Sequence, residues 1–335
     1  MRRILTATLV AMSLLGCAAA QTTLNGAGAT FPNPIYSKWF SEYHKANPEV
    51  QVNYQSIGSG GGIQQLLAGT VDFGASDGPM SDEQLAKAKT KILHLPTVLG
   101  SVVPAYNVPG VSGEIKFGQQ VLADIFLGKI TSWNDAAIAR DNPDLKLPNT
   151  PILVVHRSDG SGTTYIFTDF LSKVSPDWRS RVGKGTAVQW VIGLGAKGNE
   201  GVAGMVRQMP GAIGYVELIY ALQNNISYGP VQNSAGKFVK ADLSSTSAAA
   251  ASVKQMPADF RVSITNAPGD AAYPIASFTW LLIPAQWQDK NKEKIIVDFL
   301  HWMLATGEGI APSLNYASLP ASVAQKVATA INQIR

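Results

Sequence analysis

Between Ile152 and Thr164 the chain reads Ile-Leu-Val-Val-His-Arg-Ser-Asp-Gly-Ser-Gly-Thr-Thr: an apolar run, an arginine, then a Gly/Ser-rich turn. A strand that passes through a tight loop into a helix N-terminus aims backbone N–H groups at one point and so makes an anion receptor. Arg157 adds a planar cation with five donors, and Asp159 adds an acceptor that orients it. No lysine stands beside the glycines, which excludes a nucleotide phosphate loop and leaves a small, discrete oxyanion. Two more loops follow the same grammar, Gly26-Ala27-Gly28-Ala29-Thr30-Phe31-Pro32 and Gly58-Ser59-Gly60-Gly61-Gly62. Each loop offers N–H donors and a hydroxyl (Thr30, Ser59, Ser161, Thr163) at the carboxyl end of a strand, where open α/β sheets bind ligands.

Taken singly, each loop has a plainer reading. Gly26-Ala27-Gly28 lacks the third glycine of a dinucleotide fingerprint and reads equally as a tight βα turn. Asp159 or Ser161 reads equally as a helix cap. The threefold recurrence favours loops converging on one anion. Asp77, in Asp72-Phe73-Gly74-Ala75-Ser76-Asp77-Gly78-Pro79, is locally a turn residue before Gly-Pro. Its functional reading is an acceptor-only carboxylate set against the bound ion. Such a group repels a fully ionised anion and accepts a hydrogen bond from one that retains a proton. Phosphate near neutral pH keeps a P–OH and sulfate keeps none, so one carboxylate would discriminate against sulfate.

The elements that must position these loops follow from periodicity. Residues 50–57 and 71–75 read as strands. Residues 33–47, 63–68, 165–174 and 295–304 read as helices, and Ser81 with Gln84 forms a capping-box signature opening a helix over 81–89. The Ser/Ala-rich stretch 244–252 is either a surface helix or a loop. Alternation of strands and helices predicts an α/β fold with largely parallel sheets. The Pro/Gly-bearing turns at 104–110 and 268–274 are candidate crossings between lobes.

Composition narrows the function classes. The 335 residues are 46% hydrophobic and 15% charged, which fits one large or two ordinary globular domains. Lys and Arg number 27 against 23 Asp and Glu, a net +4 that falls to +2 without Arg2 and Arg3. That is no nucleic-acid footprint. Arg2 and Arg3, the apolar run 4–15 and Ala18-Ala19-Ala20 together read as an export signal over 1–20, too short to span a membrane. Cys17 is the one cysteine. Leu14-Leu15-Gly16-Cys17 also resembles a lipidation site, which competes with the favoured cleavage after Ala20. On either reading the mature domain has no disulfide. An exported, soluble, periplasmic protein is expected.

Enzyme signatures are weak. No G-x-S-x-G surrounds Ser161, and His44, His94, His156 and His301 are scattered, without metal-ligand spacing. No catalytic residue, metal or cofactor is therefore assigned. Strand alternation points His156 away from Arg157, toward packing.

Together the loops resemble the periplasmic phosphate-binding component of ABC-type high-affinity phosphate importers. The resemblance runs from about Leu24 to near the C-terminus. Beyond the motifs above, its landmarks are Gly211-Ala212-Ile213-Gly214-Tyr215-Val216-Glu217 and Tyr316-Ala317-Ser318-Leu319-Pro320. It implies a two-lobed periplasmic-binding-protein fold (type II) whose hinged lobes carry mixed, largely parallel sheets, with 21–103 plus 273–335 as lobe I and 104–272 as lobe II. It implies phosphate contacts from Thr30, Phe31, Ser59 and Asp77 on one lobe and from Arg157, Ser161, Gly162 and Thr163 on the other. Asp159 would orient the arginine. Gly60 and His156 stand where some relatives carry a second serine and another basic residue. The implied partners are inorganic phosphate and the membrane permease subunits of an importer, the protein acting as a monomer. A receptor for another oxyanion such as sulfate or molybdate, and a phosphatase or phosphoryl-transfer enzyme using Ser161 or Thr163, are the alternatives.

Overall fold

Short apolar strands alternate with helices from the start of the described chain, residues 21–335 of a computed structural model. The export signal and Cys17 lie outside those residues. The first half runs β1 (Thr22–Gly28), α1 (Asn33–Ala46), β2 (Val50–Ser56), α2 (Ser59–Ala68), β3 (Phe73–Ser76) and α3 (Asp82–Leu85) into the long strand β4 (Ile92–Tyr106). Next come α4 (Gln119–Phe126), α5 (Ala136–Asp141), β5 (Leu153–Arg157), α6 (Gly162–Val174), α7 (Pro176–Arg181), β6 (Leu194–Ala196), α8 (Gly198–Gln208), β7 (Ala212–Glu217) and α9 (Leu218–Gln223). Three two-residue strands, β8 (Ser227–Tyr228), β9 (Val231–Gln232) and β10 (Phe238–Val239), precede α10 (Leu243–Ala251). β11 (Ala276–Pro284), α11 (Lys290–Ala305) and α12 (Ala321–Ile331) return to the first half.

The main sheet is mixed, in the order β2-β1-β3-β11-β4-β7-β5-β6, with β8 against β4. Its flanks are parallel, β2-β1-β3 on one side and β7-β5-β6 on the other. Its middle is antiparallel. β4 is what joins them: Ile92 to Ser101 pair with β11, and Val102 to Tyr106 pair with β7. All fifteen of its residues are buried, as a strand covered on both faces requires. The result is a two-lobed α/β fold in which each parallel half-sheet is the core of one lobe.

Several elements depart from periodicity for identifiable reasons. Helix α2 starts at Ser59 and not at residue 63, so the glycine loop is its first turn. A Cβ on Gly62 would lie 2.4 Å from Ala27 O and Gly28 Cα; without one, α2 rests directly on β1. Helix α3 has its capping box at Ser81 and Gln84 but stops at Leu85. It buries no residue, and so short a helix lacks the packing that would extend it. Residues 243–251 form a helix capped by Asp242 and Ser245. The turn read at 104–110 begins as strand, with Pro104 in β4 opposite Tyr215. Across β4 and β11 the register shifts between Thr279 and Trp280, leaving Thr97 as the extra residue beside Pro96. Bulges of this kind re-aim side chains next to sites.

Gly62→Ala should lower stability by about 1–3 kcal/mol through overpacking, read as a fall in thermal midpoint. An unchanged midpoint would show that α2 can lift from β1 without cost.

A candidate anion site between the half-sheets

On the β1 side, the loop after the strand carries Thr30 and Phe31, both buried. The Tyr220 hydroxyl donates to Thr30 O at 2.6 Å. Because a trans peptide sets N–H opposite C=O, this bond turns the Phe31 N–H away from Tyr220. The Tyr316 hydroxyl donates to Phe31 O at 2.5 Å and holds the next carbonyl back. Ser59 opens α2, fully buried. Asp77 follows β3. Its Oδ1 accepts from Thr279 Oγ1 at 2.8 Å, while its buried Oδ2 has no hydrogen-bond partner among the described residues. Burial pushes the Asp77 carboxyl from 3.8 up to about 7, against the pull of Thr279, Arg157 and Ser59.

On the β5 side, Arg157 ends its strand with a side chain 1% exposed. Nε and Nη2 donate to Asp159 Oδ1 and Oδ2 at 2.7 and 2.5 Å, the bidentate fork expected of these two groups. Burial raises the Asp159 carboxyl, but the hydrogen bonds and charge of Arg157 outweigh it and leave the group below its ordinary value. Nη1 donates to Thr163 Oγ1 at 3.4 Å. Ser161 is the N-cap of α6, its Oγ accepting from Thr164 N at 3.0 Å. Its cap reading is thus correct, and capping is what aims the α6 N-terminus: Gly162 and Thr163 are the first helical residues, whose N–H groups have no acceptor within the helix. His156 stacks on Trp190, ring centroids 4.7 Å apart, and faces away from this cluster as alternation predicted.

The two sides meet directly. Gly60 N donates to Gly160 O at 2.8 Å, and Gly162 N donates to Ser59 Oγ at 3.0 Å. A Cβ on Gly162 would lie 2.5 Å from both Asp77 Oδ2 and Ser59 Oγ, so glycine is what allows this approach. All eight residues expected to contact the anion, together with Asp159, stand around one cleft.

Five participants were not assigned from sequence. Thr279 orients Asp77; Tyr220 and Tyr316 orient the Thr30–Phe31 backbone; the Tyr215 hydroxyl accepts from Arg157 N at 3.1 Å; and Asn199 donates through Nδ2 to Thr30 Oγ1 and Thr163 Oγ1 at 2.7 and 3.1 Å. Tyr215 and Tyr316 lay inside quoted motifs, a usable signal. Asn199 and Thr279 had none.

Chemically the cleft is an array of donors facing Asp77 Oδ2, an acceptor with no partner among the described residues. Ser59 Oγ already accepts from Asp77 N and Gly162 N, and a hydroxyl has only two lone pairs and one proton. The remaining capability of such hydroxyls is donation, and Asp77 Oδ2 is the group that accepts. This arrangement has a stability signature. A carboxyl raised to about 7 when folded adds its full stability below its ordinary pKa and loses it as pH rises through 7, because the unfolded chain releases the proton first. Asp77→Asn should therefore raise the thermal midpoint of the ligand-free protein at pH 8 and change it little at pH 4. A midpoint difference independent of pH would refute the raised carboxyl.

Comparison with known proteins shows the family and the fold. A family described as a PBP superfamily domain matches residues 16–306. The phosphate-binding protein PstS of Xylella fastidiosa is 47% identical over 306 residues, 91% of this chain and 83% of the relative. That of Haemophilus influenzae is 46% identical over 311 residues, 92% of each chain. Among solved structures, a high-affinity periplasmic phosphate-binding protein (PfluDING) bound with phosphate superposes with a TM-score of 0.73 over 92% of this chain and 93% of its own, at 22% identity, which shows a shared fold. With this coverage and identity, the chain belongs to the PstS family of phosphate-binding proteins.

Proposed function

We propose that the protein binds inorganic phosphate between its lobes and delivers it, in the periplasm, to the permease subunits of an ABC-type importer. The observation that carries this is Asp77 Oδ2: a buried acceptor without a partner among the described residues, near N–H, hydroxyl and guanidinium donors. A tetrahedral anion that retains a proton satisfies both kinds of group at once. Sulfate satisfies the donors and leaves the carboxylate facing a negative charge. The relatives named above bear phosphate-binding names, and residues 1–20 read as an export signal. Among the described residues, no helix is long and apolar enough to cross a membrane.

The same observations favour binding over hydrolysis. A serine or threonine nucleophile needs a base that takes its proton. Ser161 Oγ is engaged as a helix cap, and Thr163 Oγ1 receives hydrogen bonds from Asn199 and Arg157, two donors and not bases.

For the lobes, the assignment of 21–103 with 273–335 to one and 104–272 to the other is supported by two features. β4 exchanges partners between Ser101 and Val102, and Ile275 O receives Val102 N at 2.8 Å just before β11 begins. Closure about these two strands brings the half-sites together, so a ligand that touches both shifts the population toward the closed form.

Calorimetric titration with phosphate and sulfate across pH tests the reading. Phosphate should bind and sulfate should not at pH 8, and sulfate should gain relative to phosphate as pH falls below 7, where Asp77 takes up a proton and donates. Asp77→Asn should weaken phosphate by about tenfold or more, the scale of one charge-assisted hydrogen bond, and should admit sulfate at pH 8. Equal affinity of the wild type for the two anions at pH 8 would sink the assignment.

A further inference from the structure

Asn199 lies outside every loop whose pattern suggested anion binding. It is the second residue of α8, fully buried, and it is positioned by Gly198, whose φ of 72° suits glycine and whose N–H donates to Asp159 Oδ1 at 3.1 Å. Its amide cannot turn over without loss: Oδ1 accepts from Glu217 N at 2.9 Å, so the NH2 group must face the other way. That group has two hydrogens, and it meets one threonine hydroxyl from each side of the cleft, Thr30 at 2.7 Å and Thr163 at 3.1 Å.

The consequence follows from counting lone pairs. Thr30 Oγ1 accepts from Asn199 Nδ2 and also from Asn199 N at 3.2 Å. Thr163 Oγ1 accepts from Asn199 Nδ2 and from Arg157 Nη1 at 3.4 Å. Both oxygens have spent both lone pairs, and each keeps one O–H to direct at a ligand. Resting on the phosphate reading of this site, we propose that Asn199 is a positioning residue that locks the Thr30 and Thr163 hydroxyls as obligate donors and so adapts the two jaws to the unprotonated oxygens of the anion. The proton-bearing oxygen is left to Asp77. Because one amide spans both threonines, it also ties formation of this donor pair to closure.

Asn199→Asp is the sharp variant. It keeps an acceptor for Glu217 N–H, which protects the local fold, and replaces the two-hydrogen donor by an oxygen that accepts from the threonines and turns their protons away from the ligand. The surrounding charged and titratable groups (Asp77, Arg157, Asp159, Glu200, Glu217, Tyr220) are common to all variants of this position. A pH-dependent difference between Asn199→Asp and Asn199→Ala therefore reports on the introduced carboxyl.

The test is calorimetry with inorganic phosphate on the purified protein, for the wild type, Asn199→Asp, Asn199→Ala, Thr30→Val and the doubles of Thr30→Val with each. Thr30→Val should weaken phosphate about tenfold in the wild-type background, the scale of a lost hydrogen bond to a charged ligand, and less than about threefold beside Asn199→Ala, because contacting residues in one network couple. Asn199→Asp should bind more weakly than Asn199→Ala at pH 8 and approach it as pH falls toward 5, where a protonated carboxyl donates again. Should Asn199→Ala not fold, the cycle is read beside Asn199→Asp. An equal cost of Thr30→Val in both backgrounds overturns the proposal, as do parallel pH profiles of the two Asn199 variants. A wild type that takes up no phosphate overturns the phosphate reading itself, an outcome visible before any variant is compared.

Discussion

A buried carboxylate oxygen, Asp77 Oδ2, with no hydrogen-bond partner among the described residues is the constraint around which this molecule is arranged. Leaving such an atom unpaired is costly, and burial drives the Asp77 carboxyl up to about 7. The protein supplies Thr279 to one oxygen, and the other has no partner among the described residues. Arg157 is nearby, yet its strongest donors are committed to Asp159. A free arginine would attract any oxyanion and would pair with Asp77. An arginine tied to Asp159 contributes one donor among several, and selectivity passes to the carboxylate.

Everything else in the cleft serves that asymmetry. The helix caps and the tight βα turns aim N–H groups, the tyrosines hold the opposing carbonyls out of the way, and Asn199 converts two ambivalent hydroxyls into donors. None of these contacts is strong alone, since a neutral hydrogen bond contributes about 1 kcal/mol net. Their effect is geometric. Groups that accept as readily as they donate would tolerate several protonation states of a ligand, whereas an array whose acceptors are filled tolerates only one pattern.

The architecture explains how two such half-sites are brought together. Two parallel half-sheets present loops at the carboxyl ends of their strands, and the antiparallel strands β4 and β11 connect them. Glycines at 60 and 160 let backbone from the two sides approach until a Cβ on either would lie 3.0 Å from the opposing Cα, and Gly162 leaves the space that Asp77 and Ser59 occupy, 2.5 Å from where its Cβ would stand. The same absence of side chains at Gly62 seats α2 on β1, so close packing within a lobe and between lobes has one origin.

Local chemistry was legible in the sequence wherever it lay within a few consecutive residues. The Arg157–Asp159 pair, the Ser161 cap, the capping box at Ser81, the turn at Asp77 and the packing role of His156 each follow from side-chain type, short spacing and strand alternation. The α/β class follows from alternating elements, and the assignment of Thr30, Ser59 and Asp77 to one surface came from a resemblance of motifs. What the sequence alone did not reveal are the contacts between distant positions: Thr279 with Asp77, Asn199 with Thr30, Tyr220 and Tyr316 with the Thr30–Phe31 backbone. An asparagine or threonine in a helix or strand has no local pattern that distinguishes a network member from an ordinary packed residue. Its role is set by which atoms meet it across 169 or 202 residues of chain. Likewise the start of α2 and the point where β4 changes partners depend on steric fit between separate elements. The sequence determined which groups could bind an anion; only the tertiary structure decided which lone pairs were already occupied, and hence which of those groups must donate.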